Sequence, residues 1–357
     1  MNNRFDRHTL IPGWSQDRLS SSSVIITGMG ALGNEVSRLL AMSGVGDLII
    51  CDYDWVEESN LSRMILFRQT DIGRLKVEAA AEKLQELWPG IRVQTRPFPL
   101  VHGIGMAELR DADLVLGCLD SRAARLQLAG RCQLVKAKYI DGGTHPWGGE
   151  VRLYLDPEGP CYGCSLAEKD RAVSDIPWSC LQAAEETKIG AAVPSSALVG
   201  TWMGIMAVRF LMGLACPAGI LRVDATRGTT VNVEQKKDPG CMMHSPLEKV
   251  KGIPISNANS VEDLKKCLPA VSTPLVWSPI QERLECPGCD YREVSWGLPS
   301  KAKELCPRCS RVLRPRTTLE LVSVPGDMEL AALGIPPREI LAVRVQQGIE
   351  WYELQNE

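Results

Sequence analysis

Residues 24–63, VIITGMGALGNEVSRLLAMSGVGDLIICDYDWVEESNLSR, constrain the fold of this chain most. Residues 24–27 form an apolar run that ends on the glycine turn Gly28-Met29-Gly30-Ala31-Leu32-Gly33. Apolar residues then recur at Val36, Leu39, Leu40 and Val45 with the spacing of a helix, and Gly44 is placed to cap it. Residues 48–51 read as a second buried strand, closed by Asp52. Strand, glycine turn, helix and strand make a βαβ unit. The glycines let the backbone approach a phosphate, and the helix N-terminus supplies free N–H groups. Asp52 lies 24 residues beyond Gly28, where an acid bonds a ribose hydroxyl. The plainer reading is a glycine turn that serves only helix–sheet packing.

The same rhythm continues downstream. Helical spacing covers 77–87, an extended run 91–95, a short apolar strand 114–119, and a helix 123–135. Strands follow at 139–140 and 151–155. Alternation of this kind predicts an α/β fold: a Rossmann-like, doubly wound, mostly parallel sheet with helices on both faces. Residues 165–194 are polar, charged and irregular, and in a compact domain such a segment is usually functional or mobile. An apolar helix near 197–213 and strand-like residues 221–233 restore order.

The 357 residues suffice for one large domain and something smaller. A net charge of -3 argues against a nucleic-acid partner. The polar N-terminus shows no secretory h-region, and the run 197–213 is broken by three glycines and Arg209. These features predict a cytoplasmic protein without a membrane span. In that setting thirteen cysteines suggest metal rather than disulfides, and three close pairs are present: Cys161/Cys164, Cys286/Cys289 and Cys306/Cys309. The last two pairs, CPxC knuckles sixteen residues apart, carry the spacing of a zinc ribbon. The expected organisation is a nucleotide-binding domain over 1–245, a linker over 246–279, a zinc ribbon over 280–315 and a small α/β tail over 316–357.

NAD is the usual ligand of a glycine turn followed by an acid. Asn60, Arg63, Lys76 and Asp120 argue for another nucleotide. An amide, two cations and a further carboxylate near the strand ends suit a triphosphate with Mg2+, whose charge the cations neutralise while a carboxylate holds the metal.

The motifs Arg4-Phe5-Asp6-Arg7, GMGALG, DYDWVEESNLSR, Gly73-Arg74-Leu75-Lys76-Val77 and Leu116-Gly117-Cys118-Leu119-Asp120 occur in order. Together they resemble the ThiF/MoeB/HesA family, which includes the adenylation domains of ubiquitin-activating enzymes. The resemblance covers about residues 4–245. It implies ATP-dependent adenylation of the C-terminal glycine of a ubiquitin-like protein. By the same resemblance Gly28, Gly30 and Gly33 cradle the nucleotide and Asp52 binds its ribose. Asn60, Arg63 and Lys76 contact phosphates, and Asp120 holds magnesium. Arg7 matches an arginine that reaches into the partner's ATP site in homodimeric members, as an arginine finger does, which implies a homodimer. Met64 and Leu75 replace a frequent Gln and Pro of the family, and neither change removes a charge.

The resemblance also makes Cys161 and Cys164 half of a structural zinc site. Cys241 and His244 occupy the place of its second pair, giving a Cys₃His set. With the ribbon, two Zn2+ per chain are expected. Cys180, after Ser179, stands where family members carry a cysteine that attacks the acyl adenylate. Such a cysteine needs an accessible thiolate, and Arg171 and Lys188 are neighbours in sequence. Three functions are compatible with these features. One is a ubiquitin-like-protein activating enzyme that forms a thioester on Cys180 and passes it to a conjugating enzyme. Another is a sulfur-carrier adenylyltransferase of a molybdopterin, thiamin or tRNA-thiolation pathway. The third is a non-catalytic scaffold, which the full set of ATP-site charges disfavours. The ribbon and tail, and the lack of a rhodanese-like segment, tilt the reading toward the first. No local motif names the protein substrate.

Overall fold

In the computed structural model, residues 4–166, 192–299 and 304–355 are described. Cys180, Arg171 and Lys188 lie outside them. The chain divides into two units, one of residues 1–100 and 109–246, the other of 101–108 and 247–357.

In the first unit β1 (Ser23–Thr27) is buried on both faces, and its Val24, Ile25 and Ile26 are fully enclosed. A strand so apolar needs cover above and below. It sits at the middle of a parallel set with β2 (Asp47–Cys51), β3 (Arg92–Arg96), β4 (Leu114–Gly117) and β5 (Tyr139–His145). β6 (Gly148–Tyr154), β7 (Gly219–Asp224) and β8 (Thr229–Val233) extend the sheet. The order is β3-β2-β1-β4-β5-β6-β7-β8. The last three pairings are antiparallel, so the parallel character belongs to the first five strands. The cause is local: Pro146-Trp147 turns β5 straight into β6, with no helical crossover between them. The strand-like run 221–233 is likewise a hairpin, β7 and β8.

Helix Ala31–Ser43 follows the glycine turn and ends on Gly44, whose φ of 84° supplies the left-handed cap. It packs against helix Val193–Leu211 through that helix's Gly200 and Gly204, which meet Leu32, Glu35 and Leu39. Gly28 has φ +89°, and a methyl there would strike the Cys118 carbonyl just after the neighbouring strand β4. A methyl at Gly33 would run into the carbonyl oxygen of Gly28. Gly33→Ala should therefore displace the turn and destabilise the unit by roughly 3 kcal/mol. A thermal melt checks this, with ATP affinity falling alongside.

The second unit is built from β9 (Lys251–Ile253), β10 (Thr273–Glu285), β11 (Arg292–Gly297), β12 (Arg314–Glu320), β13 (Ile340–Val345) and β14 (Gly348–Leu354). The sheet runs β11-β10-β13-β14-β9, with β12 also on β10. This corrects the expectation of a linker over 246–279. β9 pairs with β14, and Ile253, Val261, Leu264 and Leu268 enter one core with Leu321, Leu330, Leu341 and Leu354. The intervening helix Val261–Lys266 is closed by a capping box between Ser260 and Asp263. The helical spacing of 261–267 is legible in the sequence, whereas β9 is hidden because it is only three residues long. The ribbon is a small satellite cluster of Leu284, Cys286, Cys306 and Leu313.

Candidate functional site

The chain crosses from the edge strand β3 to β4 on the other side of β1. In an open α/β sheet the crevice beyond the strand ends at such a reversal is where ligands bind. Here it gathers the glycine turn, Asp52 after β2, and the turn after β4. The Asp52 carboxylate accepts the Met29 N–H at 2.6 Å and the Asp54 N–H at 2.8 Å. It thus fixes the glycine turn and the following loop together, while lone pairs remain for a ribose hydroxyl. Burial pushes its carboxyl up from the ordinary range, and the Lys76 charge pulls against that shift.

Lys76 opens helix Lys76–Leu87, and only 8% of its side chain is exposed. Its Nζ lies 2.8 Å from Asp54 Oδ2, and its N–H donates to the Asp54 carbonyl. Two acids therefore flank this cation, and Asp54 is a member of the site that motif reading passed over. The alternation Asp52-Tyr53-Asp54 was the available signal. Asn60 is buried in a short 3-10 turn, where its amide accepts the Glu57 N–H and donates to Ser59. Arg63 ends that turn with a guanidinium nitrogen on the Ser59 carbonyl at 2.7 Å. Asn60 and Arg63 are thus tied within their own turn. The chain beyond them is held to the helix after the glycine turn by Asn34, which accepts the Leu66 N–H at 3.1 Å. Asp120 is exposed, and among the described residues it has no hydrogen bond or ion pair. That free carboxylate fits a Mg2+ ligand. Arg7 is exposed beside the buried Phe5, which stacks on His8 and meets Trp88 edge-on.

A groove of about 690 Å³ opens beside Asp120. Its walls come from β5 to β8 and include Gly143, His145, Gly149, Arg222 and Val231. Neither the groove nor Arg125 at its floor was expected from sequence, since four antiparallel strands create it.

Two further clusters suit a metal. Cys161, Cys164, Cys241 and His244 hold their ligand atoms within 4.8 Å of one another, and so do Cys286, Cys289, Cys306 and Cys309. Tetrahedral zinc with Zn–S near 2.3 Å separates sulfurs by about 3.8 Å. The observed separations are 3.7 Å for Cys161–Cys164, 3.6 Å for Cys161–Cys241 and 3.6 Å for Cys289–Cys306. His244 turns Nε2 to Cys164 Sγ at 3.0 Å. Burial favours its neutral, ligating form. Burial also pushes the Cys161 thiol up to about 12, so a cation is what would make it a thiolate.

The ThiF family model matches residues 5–243. The chain belongs to the ThiF family. Molybdopterin-synthase adenylyltransferase of Escherichia coli (strain K12) is 30% identical over 244 residues, covering 67% of this chain and 94% of the relative. Sulfur carrier protein adenylyltransferase of Thermus thermophilus is 31% identical over 248 residues, covering 67% and 89%. Among solved structures, E. coli MccB with ATP has a TM-score of 0.57 at 22% identity, covering 68% of this chain and 74% of that one, which is a likeness of fold. Among the described residues no helix is long and apolar enough to cross a membrane.

Proposed function

We propose that this ThiF-family chain adenylates the C-terminal carboxylate of a small ubiquitin-fold sulfur carrier at the expense of ATP. The observation that supports this reading is that Asp52 ties the glycine turn to the loop whose Asp54 pairs with Lys76, while Asp120, after the adjacent strand β4, lines the groove. The names of the relatives support the substrate class. A carboxylate oxygen of the carrier attacks the α-phosphorus of ATP. The bond from that phosphorus to the leaving oxygen breaks, and pyrophosphate departs with the electron pair. The attacking carboxylate is already ionised, so no general base is required. Catalysis reduces to alignment and to neutralising charge on the phosphates. Lys76 and Arg63 would face the phosphates, and Arg7 of a second copy would complete the site in a homodimer. Asp120 would hold Mg2+, which when bound neutralises phosphate charge.

The test is ATP–pyrophosphate exchange with purified chain and a ubiquitin-fold carrier ending in Gly-Gly. Exchange is expected only when the intact carrier C-terminus is present; exchange indifferent to that C-terminus would overturn the reading. A second reading, a thioester on Cys180 passed to a conjugating enzyme, draws on residues 247–357, which lie beyond the family match. A non-reducing gel with a conjugating enzyme added separates the two. The conjugation reading expects a reducible carrier adduct that Cys180→Ala abolishes and that passes to the conjugating enzyme. The sulfur-carrier reading expects carrier adenylate to form equally in wild type and Cys180→Ala, with no transfer to the conjugating enzyme.

A further inference from the structure

Asp120 stands alone in its turn, yet the turn itself is held from both sides. The Cys118 N–H donates to the Thr27 carbonyl of β1, and Ser121 Oγ accepts the Ala124 N–H at the start of helix Arg122–Leu134. Between these two ties, Arg125 reaches back from the first turn of that helix. Its Nη2 donates to the Leu119 carbonyl, the residue before Asp120, at 2.6 Å. Its Nη1 donates to Asp141 Oδ2, also at 2.6 Å. Asp141 lies on β5, is 1% exposed, and takes the Tyr139 hydroxyl on its other oxygen at 2.6 Å. Gly117 pairs with Asp141 across β4 and β5. A methyl at 117 would come within 2.6 Å of the Tyr139 hydroxyl and 3.0 Å of Asp141. Glycine is therefore what lets the network fit beneath the end of β4.

We propose that Arg125 is a positioning residue for Asp120, anchored in turn by Asp141 and Tyr139. The proposal rests on the proposed function, in which Asp120 holds magnesium. The physical argument is one of geometry and charge. A carboxylate that must meet a metal already carrying phosphate gains from being oriented beforehand, because less ordering remains to be done on binding. The guanidinium's fork joins two points that no other side chain joins among the described residues, one on the loop and one on the neighbouring strand. Asp141 makes that fork rigid. It also gives the cation a buried counter-charge that keeps the guanidinium on the Leu119 carbonyl. A purely structural ion pair would stabilise the fold and leave magnesium dependence untouched.

The experiment is calorimetric titration of ATP into the full chain, once with EDTA and once with Mg2+. Wild type is expected to bind ATP about tenfold tighter with magnesium, within the usual range of such coupling. Asp120→Asn should reduce that gain to about twofold, and Asp141→Asn and Arg125→Lys should do the same while the magnesium-free Kd moves less than about twofold. Tyr139→Phe, which keeps both charges, should trim the gain by about two- to threefold. A full magnesium gain in folded Asp141→Asn, beside its loss in Asp120→Asn, overturns the positioning role and leaves the Asp120 assignment standing. A full gain in Asp120→Asn removes that assignment itself. If thermal melts show that Asp141→Asn does not fold, Arg125→Lys and Tyr139→Phe decide, and an unchanged gain in both overturns the proposal.

Discussion

Lys76→Ala and Asp120→Ala are each expected to lower carrier-dependent pyrophosphate exchange by about 10²- to 10³-fold or more, the scale of losing one preorganised charge in a site of this kind. The two losses should differ in character. Asp120 is exposed and without a partner among the described residues, so its removal leaves no unpaired group behind. Its effect should be confined to turnover and magnesium dependence. Lys76 is buried and sits on Asp54, with Asp52 close enough to feel its charge. Removing it leaves two acids beside the place of a polyanion. ATP affinity itself should then fall, by repulsion as well as by the lost contact. The variant Lys76→Ala/Asp54→Asn distinguishes these causes. It should recover part of the ATP affinity lost in Lys76→Ala, measured by titration, while exchange stays low. Equal ATP affinity in single and double variants would mean that Asp54 only tethers the lysine.

The range of each contact decides whether sequence reveals it. The βαβ unit was legible because its signals are local: an apolar run, glycines at 28, 30 and 33, a helical period, and an acid at a set distance. The antiparallel half of the sheet was not, because a hairpin at Pro146-Trp147 and a helical crossover leave similar apolar runs in a sequence. The second unit was legible only in pieces because β9 is short and its partner β14 lies a hundred residues further on. Asp120 could be named from its motif, whereas its support by Arg125 and Asp141 could not. Those contacts join a loop, a helix and a strand that only the folded sheet brings together. The ribbon and tail tilt the sequence toward a conjugation enzyme. The relatives, which match the adenylation domain itself, favour a sulfur carrier.

Elemental analysis of protein purified under reducing conditions should find close to two zinc ions per chain, and the two sites should empty independently. Cys161→Ser and Cys306→Ser are each expected to leave about one, since each cluster offers four ligands and three hold zinc far less well. Independence follows from placement, as the clusters belong to separate units. The structural consequences should differ too. The ribbon core has four buried side chains, of which two are cysteine ligands. A cluster so small cannot repay the ordering of its knuckles by burial, and isolated zinc modules draw about 10–16 kcal/mol from the metal. Cys306→Ser should therefore release amide protection over about residues 286–299 and 304–313. The larger core containing Ile253, Leu264, Leu341 and Leu354 should keep its protection, because none of its members is a ligand. Cys161→Ser should instead free the turn at 161–165 from the segment 241–244, which the Cys161–Cys241 and Cys164–His244 contacts now join. ATP binding should survive both changes, since no ligand belongs to the crevice at the ends of β1, β2 and β4. A purified chain with much less than one zinc would remove metal from the account of this fold, and one substitution that empties both sites would overturn their independence.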